Sequence, residues 1–134
     1  MAEPREILER STTIAVVGIA RSKDKPSGGV PAELQGRGFR IVPVNPKADE
    51  ILGESAFASL ADVTEPVDVV EVFRPAGEAP EIARQAVAIG AKALWLQLGI
   101  ESEEARRIAE EAGLDFVQDR CMAVESRRYD VRKG

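Results

Sequence analysis

Short apolar runs alternate along this chain with segments of helical period. "TTIAVVGI" (12–19) is apolar and β-branched with little alternation, the pattern of a strand covered on both faces. "FRIVPV" (39–44), "VDVVEVF" (67–73), "ALWLQL" (93–98) and the shorter "LDFVQ" (114–118) repeat that signal. Between them the period changes. "GGVPAELQGRG" (28–38) predicts a short helix with Pro31 in its first turn, stopped by Gly36 and Gly38. "GEAPEIARQAVAIG" (77–90) places Ile82, Ala86 and Ile89 on one face and ends at Gly90. "ESEEARRIAEEAG" (101–113) has Ser102 at its N-cap and acids in its first turn. "EPREILERS" (3–11) predicts an N-terminal helix. Within 47–66, "EILGES" predicts a short extra strand and "FASLADV" one helical turn.

Strand and helix alternating at this spacing predict βαβ units and a parallel sheet. Right-handed crossovers then give a doubly wound α/β domain with helices on both faces, one domain over residues 1–134. Ligands of such sheets bind outside the carboxyl ends of the strands. That rule selects Gly18–Ser27, Asn45–Lys47, Phe73–Pro75, Gln97–Ile100 and Asp119–Cys121. The basic end "SRRYDVRKG" (126–134) is expected to be a loose tail.

Composition narrows the chemistry. The 134 residues are 44% apolar and 31% charged, ordinary for a folded domain. A net charge of −5 argues against a nucleic-acid partner, while leaving room for a local basic patch. There is no histidine and a single cysteine, Cys121. Histidine bases, Ser-His-Asp and Cys-His arrangements and phosphohistidine are therefore excluded, and zinc has no ligand set. No catalytic residue and no metal ligand is assigned. No apolar run reaches the roughly 18 residues of a membrane span, and "MAEPREILER" lacks a signal-peptide core. A cytoplasmic protein is the expectation.

The loop "GIARSKDKPSGG" after the first strand offers Gly18 for close backbone approach. It also offers the hydroxyls of Ser22 and Ser27, and the cations Arg21, Lys23 and Lys25. With a helix following, phosphate binding fits these parts, and so does a loop whose charges are simply solvated. A conventional NAD site fits badly. The G-x-G-x-x-G spacing is absent, and "VNPK" stands where an acid usually holds the ribose. Asn45 and Lys47 with a stiffening Pro46 suit a phosphorylated ribose better than a free diol, so NADP stays open on that count alone. Phe73 and Pro75 form a flat apolar edge for an adenine or a pantetheine arm, or Phe73 caps the core. Arg74 has a phosphate or a rim acid as partner. Trp95 reads as core, Gln97 and Gly99 as ligand-facing. Asp119 and Arg120 are expected to pair, and Cys121 to be buried.

Together these residues resemble the small stand-alone CoA-binding domain proteins, which are similar to the N-terminal domain of the succinyl-CoA synthetase α-subunit. The resemblance rests on "AVVGIARSKDKPSGGVPAELQGRGFRIVPVNPK", "EILGESAFASLADVTEPVDVVEVFRP", "WLQLGI" and "DRCMAVE", nearly the whole chain. It implies a Rossmann-like sheet that takes coenzyme A or an acyl-CoA at its carboxyl edge. The phosphate-holding loop then falls on Ala20, Arg21, Ser22 and Lys23, with Lys25 nearby. The adenosine side falls on Asn45, Pro46 and Lys47. The ligand-flanking turns fall on Phe73, Arg74 and Pro75, and on Leu96–Gly99. The synthetase's glycine-rich loop is replaced here by a longer basic one containing Pro26, and its second domain and phosphorylated histidine have no counterpart. A CoA-binding module without known catalysis is what the resemblance implies. An NAD(P)-dependent enzyme and a regulatory domain with a vestigial pocket are the alternatives.

Overall fold

The computed structural model describes residues 2–134. Five strands form one parallel sheet in the order β2-β1-β5-β6-β7. They are β1 (Thr13–Val17), β2 (Arg40–Val44), β5 (Val69–Val72), β6 (Ala93–Leu96) and β7 (Asp115–Val117). A two-residue hairpin, β3 (Glu50–Ile51) with β4 (Glu54–Ser55), stands apart from it. The helices are α1 (Pro4–Arg10), α2 (Pro26–Gly36), α3 (Ala79–Ala88), α4 (Glu103–Glu111) and α5 (Met122–Arg128). This is the doubly wound, Rossmann-like α/β domain anticipated above.

Alternation along β1 explains the layering. Ile14 and Val16 point to one face, where they pack with Ile7 and Leu8 of α1, Leu34 of α2 and Met122 of α5. Ala15 points to the other, toward Ala83 and Ala86 of α3 and Ala105 and Ala109 of α4. Burial of each such Ile, Leu or Val side chain stabilises the fold by roughly 1.5–3 kcal/mol. Alanines on α3 and α4 let those helices approach the sheet closely. Trp95, read as core, is fully buried, and its indole N–H donates to the Arg120 carbonyl at 2.9 Å.

Strand order reverses between β1 and β5. The chain leaves β1 through α2 to β2 on one side, then returns to β5 on the other. The two crossovers lie on opposite faces, so a crevice opens at the carboxyl ends of β1 and β5. "EILGES" forms the hairpin, and "FASLADV" contains a 3₁₀ turn at Leu60–Asp62 capped by Ser59.

Three expectations need correction. Helix α2 begins at Pro26, two residues earlier than expected, so Pro31 lies inside it and not in its first turn. Helix α5 was not anticipated: seven residues starting at Met122 are too few for a clear helical period. Residues 126–134 are not a loose tail. Ser126–Arg128 finish α5, Val131 is 6% exposed, and the Lys133 amide donates to the Arg37 carbonyl at 2.7 Å. A basic composition hid that anchor.

Candidate functional site

The crevice is built from the β1 exit upward. Gly18 has φ of +86°, and its amide donates to the Val44 carbonyl at 3.1 Å, which ties the β1 and β2 exits together. The basic loop then folds back onto the start of α2. Pro31 explains how. Lacking an N–H, it leaves the Ser27 carbonyl without its helical donor. The Ala20 amide takes that carbonyl at 3.0 Å, so the helix's missing bond becomes the loop's anchor. Gly28 completes the contact, because a Cβ there would fall 1.9 Å from the Ser22 carbonyl oxygen. Asn45 clamps the opposite wall. Its amide nitrogen donates to the Ile19 carbonyl at 2.9 Å and its oxygen accepts from the Lys47 amide at 2.7 Å.

Two cavities result. The larger, about 850 Å³, lies over the crevice and is lined by Gly18, Ala20, Lys25, Ser27, Asn45, Pro46, Lys47, Phe73 and Arg74, among others. Its far wall is the start of α3, with Glu78, Glu81 and Ile82. The second, about 520 Å³, continues toward α5 and is lined by Lys23, Lys25, Pro26, Phe73, Gln97, Leu98, Cys121 and Val124, among others. Lys25 and Phe73 border both. Leu98 and Val124, exposed at 63% and 41%, are the large hydrophobic side chains left exposed among the described residues, and both line the second cavity.

Of the residues selected from sequence, Gly18, Ala20, Lys23, Lys25, Pro26, Ser27, Asn45, Pro46, Lys47, Phe73, Arg74 and Gln97 are brought together here. Arg21, Ser22, Pro75 and Gly99 line neither cavity. Arg21 and Ser22 are exposed, and Ser22 instead shapes the loop, its Oγ accepting from the Asp24 amide at 3.3 Å. Pro75 introduces the 3₁₀ turn at Ala76–Glu78. Gly99 donates to Asp119 at 2.8 Å. That bond also corrects the expected Asp119–Arg120 pair, since Arg120 faces Glu125 at 3.8 Å. Cys121 is half-buried and lines the second cavity, where burial in the core was expected.

Sequence reasoning named neither Glu78, the rim acid that pairs with Arg74, nor Glu81, which line the larger cavity from the 3₁₀ turn and from α3. The signal was the acid four residues after Arg74, at the start of the predicted helical segment. Arg74 and Glu78 form a two-bond pair, and that hydrogen bond holds the arginine's pKa above its usual value and the glutamate's below. Gln97 is buried at 5% exposure, with its Oε1 accepting from the Met122 amide at 3.3 Å.

The CoA binding domain family matches residues 12–127. The chain belongs to that family. The uncharacterised protein YneT of Bacillus subtilis is 40% identical over 123 residues, covering 92% of this chain and 91% of that protein. An ADP-forming acetate–CoA ligase of Archaeoglobus fulgidus is 33% identical over 100 residues, 73% of this chain but 15% of the ligase. A solved Thermus thermophilus structure superposes with a TM-score of 0.89 at 38% identity, covering 96% of this chain and 99% of that one. This member of the CoA-binding domain family thus has small relatives of its own length. It also matches a segment of much longer ligases.

Proposed function

We propose that this protein is a binding module for coenzyme A or an acyl-CoA. The observation that carries the reading is the pair of cavities joined at Lys25 and Phe73. The larger is edged by Lys25, Lys47, Arg74 and backbone turns, with Glu78 and Glu81 on its far wall; the second sets apolar Phe73, Leu98 and Val124 and the Cys121 thiol beside charged Lys23, Asp24, Glu33 and Arg127. A ligand with a phosphorylated nucleotide at one end and a long, weakly polar arm at the other suits that sequence of surroundings. The diphosphate sits by the turn at Gly18–Ala20 and Lys25. The adenosine with its 3′-phosphate lies by Pro46 and Lys47. The pantetheine arm passes Phe73, and its thiol end reaches toward Gln97 and Cys121. Asn45, committed to Ile19 and Lys47, shapes this site and does not read the ligand.

The protein is net acidic, so attraction to the phosphoryl groups is local and weakens with salt. A thermal-shift panel of CoA, acetyl-CoA, NAD, NADP and ADP tests the reading. CoA or acetyl-CoA is expected to give the largest rise, since a ligand at about 100 times its Kd stabilises by about 2.7 kcal/mol. A larger rise with NAD or NADP than with either CoA species would overturn it.

Two further results are expected. Lys25→Ala with Lys47→Ala weakens CoA binding about 10- to 100-fold by calorimetry and flattens its salt dependence, the two charges together contributing about 1.4–2.8 kcal/mol. Saturating CoA also slows alkylation of Cys121 by a maleimide, whereas ADP, too short to reach the second cavity, does not. Equal protection by both ligands would remove the proposed path of the arm.

A further inference from the structure

Arg74 differs from the other cations of the larger cavity. Among the described residues, Lys25 and Lys47 have no carboxylate within ion-pair distance, whereas Arg74 is already occupied. Its Nε donates to Glu78 Oε1 at 3.0 Å and its Nη2 to Oε2 at 2.8 Å. The pair is not a remote surface contact. The Arg74 stem lies on the β1 exit, where a Cβ on Gly18 would fall 2.8 Å from Arg74 Cδ and 3.1 Å from Cγ. The guanidinium is thus tethered beside the turn that the diphosphate would meet, and it is paired with an acid that lines the same cavity.

We propose that Glu78 sets the affinity of this site by holding Arg74 until a phosphoryl group displaces it. This rests on the reading of the crevice as a CoA site. A guanidinium offers one planar fork, which fits a carboxylate or a phosphate in two-bond geometry but not both through the same edge. A diphosphate carries more charge than a carboxylate and outcompetes it. A ligand without a phosphoryl group at that place cannot, and it meets a neutralised arginine. Glu78 therefore acts as a filter as well as a brake. Among the described residues nothing else restrains it: the side chain makes no capping bond at the start of α3, and both partners are about half exposed, at 47% and 49%. It can swing into water when the arginine turns away.

Exposed ion pairs are weak, so release of the brake is modest and measurable. Calorimetry with CoA is run at several salt concentrations on the wild type, Glu78→Gln, Arg74→Met and the double variant. Glu78→Gln is expected to bind CoA about two- to fivefold tighter, with steeper salt dependence. Arg74→Met binds more weakly, and adding Glu78→Gln to it changes nothing further. An unchanged or weaker Glu78→Gln, beside a wild type that binds, overturns this inference and leaves the CoA reading standing. An equal gain in the Arg74→Met background overturns it too, because the acid would then act on the ligand directly. No CoA binding by the wild type or by Glu78→Gln overturns both.

Discussion

Gly28→Ala is expected to weaken CoA binding by about 10- to 100-fold while the domain stays folded. The methyl carbon would lie 1.9 Å from the Ser22 carbonyl oxygen, 2.7 Å from its carbon and 2.9 Å from the Ala20 carbonyl oxygen. These are backbone atoms, so no side-chain rotation relieves the contact. Either α2 shifts or the loop lifts away. Gly28, Pro31 and Leu34 of α2 are buried, whereas residues 21–26 are exposed, so the loop is the cheaper part to move. Overpacking of this kind costs about 1–3 kcal/mol, and at about 1.4 kcal/mol per decade of affinity the range above follows. Lifting the loop also breaks the Ala20–Ser27 bond and carries Lys25 out of the crevice. Two neighbours serve as controls. Gly29→Ala meets one backbone oxygen at 2.9 Å and should show a smaller loss. Gly36→Ala, at the far end of the same helix, meets nothing within 4 Å and should bind CoA like the wild type. Its melting temperature should match or exceed the wild type's, given alanine's better helix propensity. Equal CoA affinity in Gly28→Ala and wild type, by calorimetry, would detach the loop from the site.

How much of this was legible beforehand follows from which forces are local. The strands were legible because burial on both faces leaves unbroken apolar runs, as in "AVV" and "LWL". Their strand-end loops were legible because a parallel sheet puts its carboxyl ends on one edge. Lys25, Lys47 and Phe73, which line the cavities, were selected that way. The start of α2 was not, because Pro31 suggests a first turn and only the Ala20–Ser27 bond explains a proline deeper in the helix. Helix α5 and the anchored end were hidden for a different reason. Their order comes from contacts distant in sequence, such as Lys133 with Arg37 and with Glu9, which no local pattern announces. Asn45 shows the limit for single residues. Its type suggested ligand contact, but both ends of its amide are spent on the protein. Arg21 and Ser22 show the same limit in reverse, since a basic, hydroxyl-bearing loop does not say which of its side chains turn inward.

Glu71→Gln is expected to remove most of a stability loss that the wild type suffers as pH rises. Glu71 sits in the middle of β5, in register with Val16 on one side and Trp95 on the other. It is fully buried, and among the described residues neither carboxyl oxygen has a hydrogen-bond partner. Burial alone pushes its pKa up from 4.5 to about 8. Below pH 4.5 the group is neutral in both folded and unfolded chains and carries no ionisation penalty. Between pH 4.5 and about 8 the unfolded chain releases a proton that the folded chain retains. Stability contributed by this group therefore falls with rising pH, by about 1.4 kcal/mol per pH unit. The loss amounts to roughly 3 kcal/mol at pH 7 and up to roughly 5 kcal/mol above pH 8. Glutamine has nearly the same shape and never ionises, so the slope should vanish from the variant while the remaining titrations stay common to both proteins. Urea unfolding, followed by the fluorescence of the adjacent Trp95, measures the difference between pH 4 and 9. The two proteins should be of similar stability near pH 4, with Glu71→Gln increasingly the more stable toward pH 8. Parallel pH profiles would mean that the carboxylate is solvated or partnered in solution. A gap that widened toward low pH would mean that Glu71 is folded in as an anion. The same logic places Glu71→Leu alongside as a second variant. Leucine also lacks the charge and in addition leaves no buried amide without a partner, so its pH profile should parallel that of glutamine and lie above it at every pH.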